Sequence, residues 1–401
     1  MIAGPHHEPH AGKDTRPFFF AWCIYAAALL AAGAFFQQLA PRFDFRNFYA
    51  AGYLVRTQPA SLYDLARQEQ VQSTLISAGN KPLPFVHPSY EALLYAPFSL
   101  LSYHWAYLRF LAFNLLLLVV LFLRAYPVFS APLTFWQPRP GLMLFPFFAL
   151  AVALWHGQNS VLFLLLCGLA YMELEDGRDV SAGCLLALGL FKFHVALPLA
   201  FLCAVRRGRR FTAGFAVTAV GVALLCFAIV GKSGMASFVS LIHAATLEGD
   251  QSAQAKAAIA VFPEAMPNLV GLLSPLANWV PASTVFAFVA ALSAAIFAAG
   301  IYLVRKASSE AAAFAIATVC AALVSYHMYM SDEALILLPM ALLSRSLSKG
   351  ALAALYVVPL VVVLFMGPQW SFLAAIPTLW MLLEAAQLVV RSRRFEELVA
   401  A

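Results

Sequence analysis

The feature that most constrains this chain is a series of apolar runs, each about as long as a lipid bilayer is thick. A helix needs about 20 apolar residues to cross a membrane. Five such runs are clear: Phe18–Gln38, Tyr103–Leu123, Phe211–Val230, Ser283–Val304 and Ser371–Val390. They are spread over the whole chain, and strand-like alternation of apolar and polar residues is missing. The sequence therefore predicts an all-α polytopic membrane protein.

Composition excludes several other classes of protein. The chain is 63% hydrophobic and 11% charged, whereas soluble domains have roughly 45–50% apolar and about 25% charged residues. The net charge of +6 is assigned to topology and lipid contact, because no basic stripe with interleaved aromatic residues predicts nucleic-acid binding. The six cysteines occur singly in apolar stretches, so neither a disulfide framework nor a metal site is predicted, and no cofactor is expected.

Shorter apolar runs predict further helices: Gly141–Leu154, Ser160–Met172, Ala311–Leu323, Ala334–Leu343 and Ala351–Met366. Two more, Ala182–Phe191 and Val195–Ala204, are too short to span separately, and they flank Lys192-Phe193-His194. A bent hairpin that begins and ends on the cytoplasmic side lets every basic cluster stay inside. These clusters include Lys13 and Arg16, Arg124 and Arg139, Arg206 to Arg210, Arg305 and Lys306, Arg345 and Lys349, and Arg391 to Arg394.

The resulting topology is a single membrane domain over residues 1–401, with about 12 membrane helices, two of them half-length, and both termini in the cytoplasm. Residues 1–16 form a cytoplasmic tail, whose three histidines leave a metal-binding tail as the alternative. Residues 39–102 and 231–282 form two outer loops that carry short amphipathic helices. In the first loop, "SLYDLARQEQVQ" predicts such a helix with Ser61 as its cap.

Polar residues that solubility does not explain all fall at the outer ends of the predicted helices. They are Asp44 and Arg46, His87, His156, Gln158, Asn159, Lys192, His194, His327, Tyr329, Asp332 and Glu333, with Tyr49 close to Asp44. Ionisable groups within membrane segments are costly and are functional candidates by default. Simpler interpretations remain open: a cap or salt bridge for Asp44, snorkelling for Lys192, interfacial hydrogen bonds for His87 and His156, a helix-end pair for His327 with Asp332, and a turn at Gln158 and Asn159. The one-sided distribution predicts a site on the outer face.

Three stretches taken in order resemble the core of glycosyltransferase family 87. They are "DFRNFYAAGYLVRTQPASLYD", "HPSYEALLYAPFSLLSYHWAY" and "GQNSVLFLLLCGLAYMELEDGRDVSAGCLLALGLFKFHVALPLAFLCAVRRGRR". The resemblance implies a GT-C architecture in the bacterial inner membrane with a periplasmic site, and a mannosyltransferase that uses a polyprenyl-phosphate sugar. Asp44 takes the place of the family's proposed catalytic base, and Gly157-Gln158-Asn159 that of its GQN motif. The late segment matches at His327 and Asp332, whereas Lys192-Phe193-His194 departs from the family pattern.

The mechanism implied by this resemblance is an inverting sugar transfer to a hydroxyl of a glycolipid or glycan. Asp44 is expected to be the general base and His327 a second catalytic group. Lys192 is expected to be a cation that binds the donor phosphate, with Arg46 or His194. The other expected substrate ligands are Tyr49, His87, Gln158, Asn159, Tyr329 and Asp332, and the aromatic residues beside Asp44 are expected to stack on sugar faces. The absence of a DxD sequence disfavours a metal-bound nucleotide sugar.

A transporter or flippase of a lipid-linked saccharide is the alternative, because it would also use broken helices and a buried cation. No clear inverted repeat supports it, and the polar groups are predicted on one side only. A structural membrane subunit would not explain that one-sided distribution.

Overall fold

The computed structural model describes residues 16–35, 39, 43–77, 82–125, 128, 147–246 and 262–400. These ranges contain helices and no strand, which confirms the predicted all-α class. The α-helices are α1 Arg16–Phe35, α2 Phe45–Thr57, α3 Leu65–Leu75, α4 Ser89–Tyr95, α5 Tyr103–Arg124, α6 Phe148–Trp155, α7 Ser160–Glu175, α8 Asp179–Leu188, α9 Phe193–Arg207, α10 Arg209–Thr246, α11 Leu269–Leu273, α12 Ala282–Lys306, α13 Glu310–Val324, α14 Leu337–Leu343, α15 Lys349–Val361 and α16 Ala375–Ala400.

Six helical segments are long and apolar enough to cross a membrane, judged by length and composition. They are Tyr103–Arg124, Asp179–Arg207, Arg209–His243, Ala282–Lys306, Lys349–Met366 and Pro368–Ser392. Shorter apolar helices accompany them at Phe19–Phe35, Leu269–Asn278 and Glu310–Val324. The protein is therefore a multi-pass membrane protein.

The segment Asp179–Arg207 returns to the end of the molecule at which it starts. Asp179 Oδ1 lies 2.6 Å from Arg207 Nη2, so the first and last residues of the segment meet. Between them, the chain turns through a short 3₁₀ helix, Gly189–Lys192, which forms the tip. Its length alone would permit a crossing, but the ion pair requires the bent hairpin that the sequence predicts.

Two ends of the helix bundle can be defined from these contacts. The basal end holds Arg206 and Arg207, which pair with Glu310 at the start of α13 and with Asp179. The opposite, apical end holds the hairpin tip, the start of α7 and the residues that follow α13. Because α7, α9 and α13 share one apolar core, they connect the two ends rigidly.

A second apolar core, built largely from aromatic side chains, lies beneath α2 to α4 and the first turns of α5. Phe45 and Phe110 stack at 5.0 Å, and Phe48 and Tyr95 stack at 4.7 Å. Such pairs add to the stabilisation given by burial. This core fixes the start of α2, where Asp44 lies.

The segments predicted as outer loops differ from the prediction in two details. Asp64, and not Ser61, caps α3, since its Oδ1 accepts hydrogen bonds from the amides of Ala66 and Arg67. The predicted second outer loop starts as helix, because α10 continues to Thr246 beyond a kink at Gly231, where φ is 66°. The predicted tail residues 1–15, Lys13 and Arg139, and the first part of the predicted helix Gly141–Leu154 lie outside the described residues.

Candidate active site

The turn between α6 and α7 requires a glycine for two reasons. Gly157 has a φ of 65°, which side chains other than glycine rarely adopt. A Cβ atom at this position would lie 2.7 Å from Phe45 Cβ, closer than real contacts allow. The turn therefore lies directly against the start of α2.

The next three residues each donate a hydrogen bond to a different carboxylate. Gln158 Nε2 donates to Asp44 Oδ2 at 2.6 Å, Asn159 Nδ2 to Glu91 Oε1 at 2.5 Å, and Ser160 Oγ to Asp332 Oδ1 at 3.0 Å. The three acids come from segments that are far apart in the sequence. The start of α7 thus gathers them, and the positive end of its helix dipole favours their negative charge.

Asp44 is the most accessible of the three acids, with its side chain 32% exposed. His156 Nδ1 lies 3.2 Å from Asp44 Oδ2. Burial acts to raise the pKa of the Asp44 carboxyl, but the hydrogen bond and charge of His156, the hydrogen bond from Gln158 and the charge of Arg46 outweigh it. The pKa of Asp44 therefore lies below its ordinary value, and the group is ionised at neutral pH.

Glu91 lies behind the cavity wall, with its side chain 2% exposed. Its Oε1 accepts hydrogen bonds from the hydroxyl of Tyr95 and from Asn159. His87 Nδ1 is 2.9 Å from the other oxygen, Oε2. A buried carboxylate is costly unless donors or cations surround it. Tyr95 and Asn159 satisfy Oε1, whereas in the described part of the chain Oε2 has only His87 beside it.

Lys192, at the hairpin tip, pairs with Asp332. Their side chains are only 5% and 9% exposed, and Asp332 also accepts hydrogen bonds from Ser160 and from the amide of Tyr329. Lys192 therefore already has a carboxylate partner, because removing an ammonium group from water requires a nearby countercharge, and Asp332 supplies it. Its expected contact with a donor phosphate stays a prediction.

Two histidines flank this ion pair through a shared serine. His194 Nδ1 lies 2.8 Å from Ser325 Oγ, and Ser325 Oγ donates to the carbonyl of His327 at 3.1 Å. Asn268, fully buried, donates to the Ser325 carbonyl and so holds this turn. Burial lowers the pKa of His327 to about 4, although Asp332 acts to raise it. His327 is therefore neutral at neutral pH.

A cavity of about 1230 Å³ joins these groups. One part of its wall is polar and contains His87, Gln158, Lys192, His194, Glu264, His327, Tyr329 and Asp332. The other part is mostly apolar, with contributions from Val270, Ala282, Val285, Phe286, Val289 and Ala290. Asp44 is not itself on this wall but is bonded to Gln158, which is.

Several predicted ligands lie beneath the surface of the site. Tyr49 is 4% exposed and donates its hydroxyl to the Leu101 carbonyl, so it supports the aromatic core and does not line the cavity. Asn159 is fully buried and holds Glu91. Phe43 and Phe45 are also buried, and Phe43 stacks on the His156 ring at 5.5 Å. These residues were predicted to touch the sugar because the sequence does not show which side chains point inward.

Two residues were missed as members of the site. His156 was noted as an unusual polar residue but was not chosen as a site residue, although it contacts Asp44. Glu91 was overlooked, and the only signal was its position four residues after His87 in the stretch "HPSYE". Ser160 and Asn268 are further positioning residues without a distinctive signal.

A glycosyltransferase family 87 model matches residues 85–330, well over half of the chain. The chain belongs to glycosyltransferase family 87. It is therefore a membrane glycosyltransferase, as the resemblance implied. The match includes the Gln158 turn, the hairpin tip and His327, whereas Asp44 precedes it and Asp332 follows it. Comparisons with curated proteins and with solved structures give no match.

No cluster of three or more potential metal ligands occurs in the described ranges.

Proposed function

We propose that the protein transfers a sugar, mannose in the first instance, from a polyprenyl phosphate to a hydroxyl of a glycolipid or glycan. The observation that carries this proposal is the two-part cavity, in which a charged wall meets an apolar one. The apolar part follows α12, whose Phe286 is 75% exposed. An isoprenoid chain can therefore lie along α12 while its phosphate reaches the hairpin tip.

The charged part of the cavity suits a phosphate. Lys192 can share its ammonium group between Asp332 and a phosphate oxygen, and His194 stands beside it on the same hairpin. Arg46 lies near Asp44 and is the second cation of the site. Charge-assisted hydrogen bonds from such groups strengthen as the leaving phosphate gains negative charge.

The proposed transfer is a single displacement. The acceptor hydroxyl gives its proton to Asp44 as its oxygen attacks the anomeric carbon. The bond from that carbon to the phosphate oxygen breaks, and its electron pair leaves with polyprenyl phosphate. Attack from the face opposite the phosphate inverts the configuration. Asp44 can accept the proton because it is ionised, and its hydrogen bond from Gln158 holds it in place.

The remaining polar groups would orient the substrates. His327, being neutral, serves as a hydrogen-bond partner and not as a cation. Gln158, His87 and Tyr329 present polar groups to the same cavity. Tyr49 and Asn159 take positioning roles, in agreement with their burial.

The proposed architecture is one GT-C-type membrane domain over residues 1–401, with about 12 membrane helices. Helices α1, α5 to α10 and α12 to α16 supply that number, with α8 and α9 as the half-length pair. The basic cluster at Arg206 and Arg207 supports a cytoplasmic basal end. The apical cavity would then face the periplasm of a bacterial inner membrane, where the acceptor and donor lipids would meet.

The test is transfer by the purified full chain in vesicles that contain synthetic mannosyl-phosphoryl-polyprenol and candidate acceptors. Transfer with inverted anomeric configuration, determined by NMR of the product, is the expected result. Retained configuration would contradict the single displacement. Movement of the donor lipid between leaflets without any transfer would instead establish the flippase alternative.

A further inference from the structure

His87, a histidine of the cavity wall, has a fixed orientation. The His87 Nδ1 atom faces the Phe191 carbonyl oxygen at 3.2 Å and Glu91 Oε2 at 2.9 Å. Both neighbours are acceptors, so Nδ1 carries a hydrogen. Ring contacts with Phe48 and Phe85 at centroid distances of 5.3 and 5.4 Å hold the imidazole in place. The second nitrogen, Nε2, makes no hydrogen bond to a described residue, and the side chain lines the cavity.

Glu91, the acid beside His87, has one carboxylate oxygen without a well-aligned hydrogen-bond donor among the described residues. Glu91 Oε2 is buried and accepts no hydrogen bond of good geometry within the described ranges. A buried carboxylate oxygen in this state is costly unless a positive charge lies beside it. The nearest group that can supply that charge is the imidazole of His87, 2.9 Å away.

The other ionisable groups do not provide this charge. Lys192 is matched by Asp332, and Arg46 is matched by Asp44. Neither pair leaves a cation for Glu91, or for Glu264 on the cavity wall. A phosphodiester donor would bring a further negative charge to the same cavity.

The groups that face His87 come from several elements. Glu91 lies on α4, Lys192 and His194 belong to the hairpin, and His327 follows α13. A charge on His87 acts on the His194 and His327 rings. The Tyr63 hydroxyl contacts only the His87 carbonyl oxygen. None of these contacts occupies Nε2, so a phosphate oxygen can reach it from the cavity.

We propose that His87 is a ligand of the donor phosphate and takes up a proton at Nε2 when that phosphate binds. The resulting imidazolium lies between the phosphate and Glu91 and balances both. This inference rests on the proposed polyprenyl-phosphate donor. Glu91 is a positioning residue in this arrangement, because it acts on the phosphate only through His87.

The test is calorimetric binding of methyl farnesyl phosphate to the full chain, repeated in buffers of different ionisation enthalpy. This compound is a phosphodiester that does not titrate near neutral pH, so any proton taken up must go to the protein. We expect an uptake of about one proton per bound molecule. Dimethyl phosphate, which has no lipid tail, should show the same uptake at saturating concentration if the phosphate group is responsible.

Three variants make the test specific. His87→Gln should abolish the uptake and weaken binding by about tenfold, the effect of losing one charge interaction. His87→Lys carries its charge permanently, so it should retain binding without proton uptake. His104→Gln, a histidine on α5 that does not line the cavity, should behave like the wild type.

Binding of the lipid by the wild type without proton uptake would overturn the inference and leave the proposed function intact. Unchanged uptake in His87→Gln would overturn it as well, since the proton would then reside elsewhere. Failure of the folded wild type to bind methyl farnesyl phosphate at all would contradict the proposed donor itself.

Discussion

The basal and apical ends of this molecule handle buried charge differently. At the basal end, Arg206 and Arg207 are saturated by Glu310, Asp179 and the carbonyls of Leu174, Val304 and Ala307. At the apical end, Lys192 pairs with Asp332, but the other contacts to the acids come from amides, a hydroxyl and histidines around a cavity. The basal groups connect α8, α9 and α13 to one another. The apical groups instead leave hydrogen-bond acceptors and histidine ring nitrogens available to a substrate.

The largest effect is expected at Asp44. Asp44→Asn should lower sugar transfer by about 10²–10⁴-fold, because a general base contributes a factor of that size. The measurement is the initial rate with a polyprenyl-phosphate sugar, normalised to folded protein. Asp64→Asn is the matched control, since Asp64 only caps α3. Equal rates for Asp44→Asn and the wild type would remove Asp44 as the base.

Substitutions of Lys192 and Arg207 compare an ion pair at the apical end with one at the basal end. Lys192→Met leaves Asp332 buried without its cation and should destabilise the protein by about 3–5 kcal/mol. Arg207→Met, whose side chain is 21% exposed, should cost about 1.5–3 kcal/mol, because charged hydrogen bonds are lost where water can partly replace them.

Denaturant unfolding in detergent measures both changes. Transfer per folded molecule should fall in Lys192→Met and remain normal in Arg207→Met. If Arg207→Met lowered turnover as strongly as Lys192→Met, the functional distinction between the two ends would be lost.

Alanine substitutions at Gly157 and Gly177 compare the two turns that flank α7. Both have positive φ, 65° and 75°, so alanine should cost roughly 1–2 kcal/mol at either position. At Gly157 the added Cβ also meets Phe45, whereas at Gly177 it meets nothing within 4 Å. Gly157→Ala should therefore be the less stable variant, and it alone should lower transfer by displacing Gln158 from Asp44. Identical losses of stability and activity would contradict this assignment.

The last prediction concerns pH. The pKa of His327 is lowered to about 4 in the folded protein, from about 6.5 in an unfolded chain. The unfolded state therefore binds a proton first as pH falls. The stability contributed by neutral His327 is full above about pH 6.5 and is lost toward pH 4. Thermal unfolding across this range should show a shallower decline in His327→Gln than in the wild type, and parallel curves would exclude this contribution.

Much of the fold was predictable because bilayer crossing imposes a length and a composition on each helix. The same physics identified the hairpin, since Lys192 interrupts two runs that are too short to cross. For the site, the one-sided placement of polar residues drew attention to Asp44, Gln158, Lys192 and His327. The roles of Tyr49 and Asn159, and the importance of His156 and Glu91, were not apparent, because these residues lie in turns and short helices whose partners are distant in the sequence.

The apolar runs by themselves determined that this chain is a polytopic helical membrane protein, because lipid admits only helices and closed barrels, and the runs lack the alternation of barrel strands. The partners of the buried charges were decided only by the tertiary structure. Gln158, Asn159 and Ser160 are adjacent in sequence, yet each holds an acid from a different part of the chain. Hydrogen bonds act over about 3 Å, so a pairing between distant residues exists only once packing has brought them together.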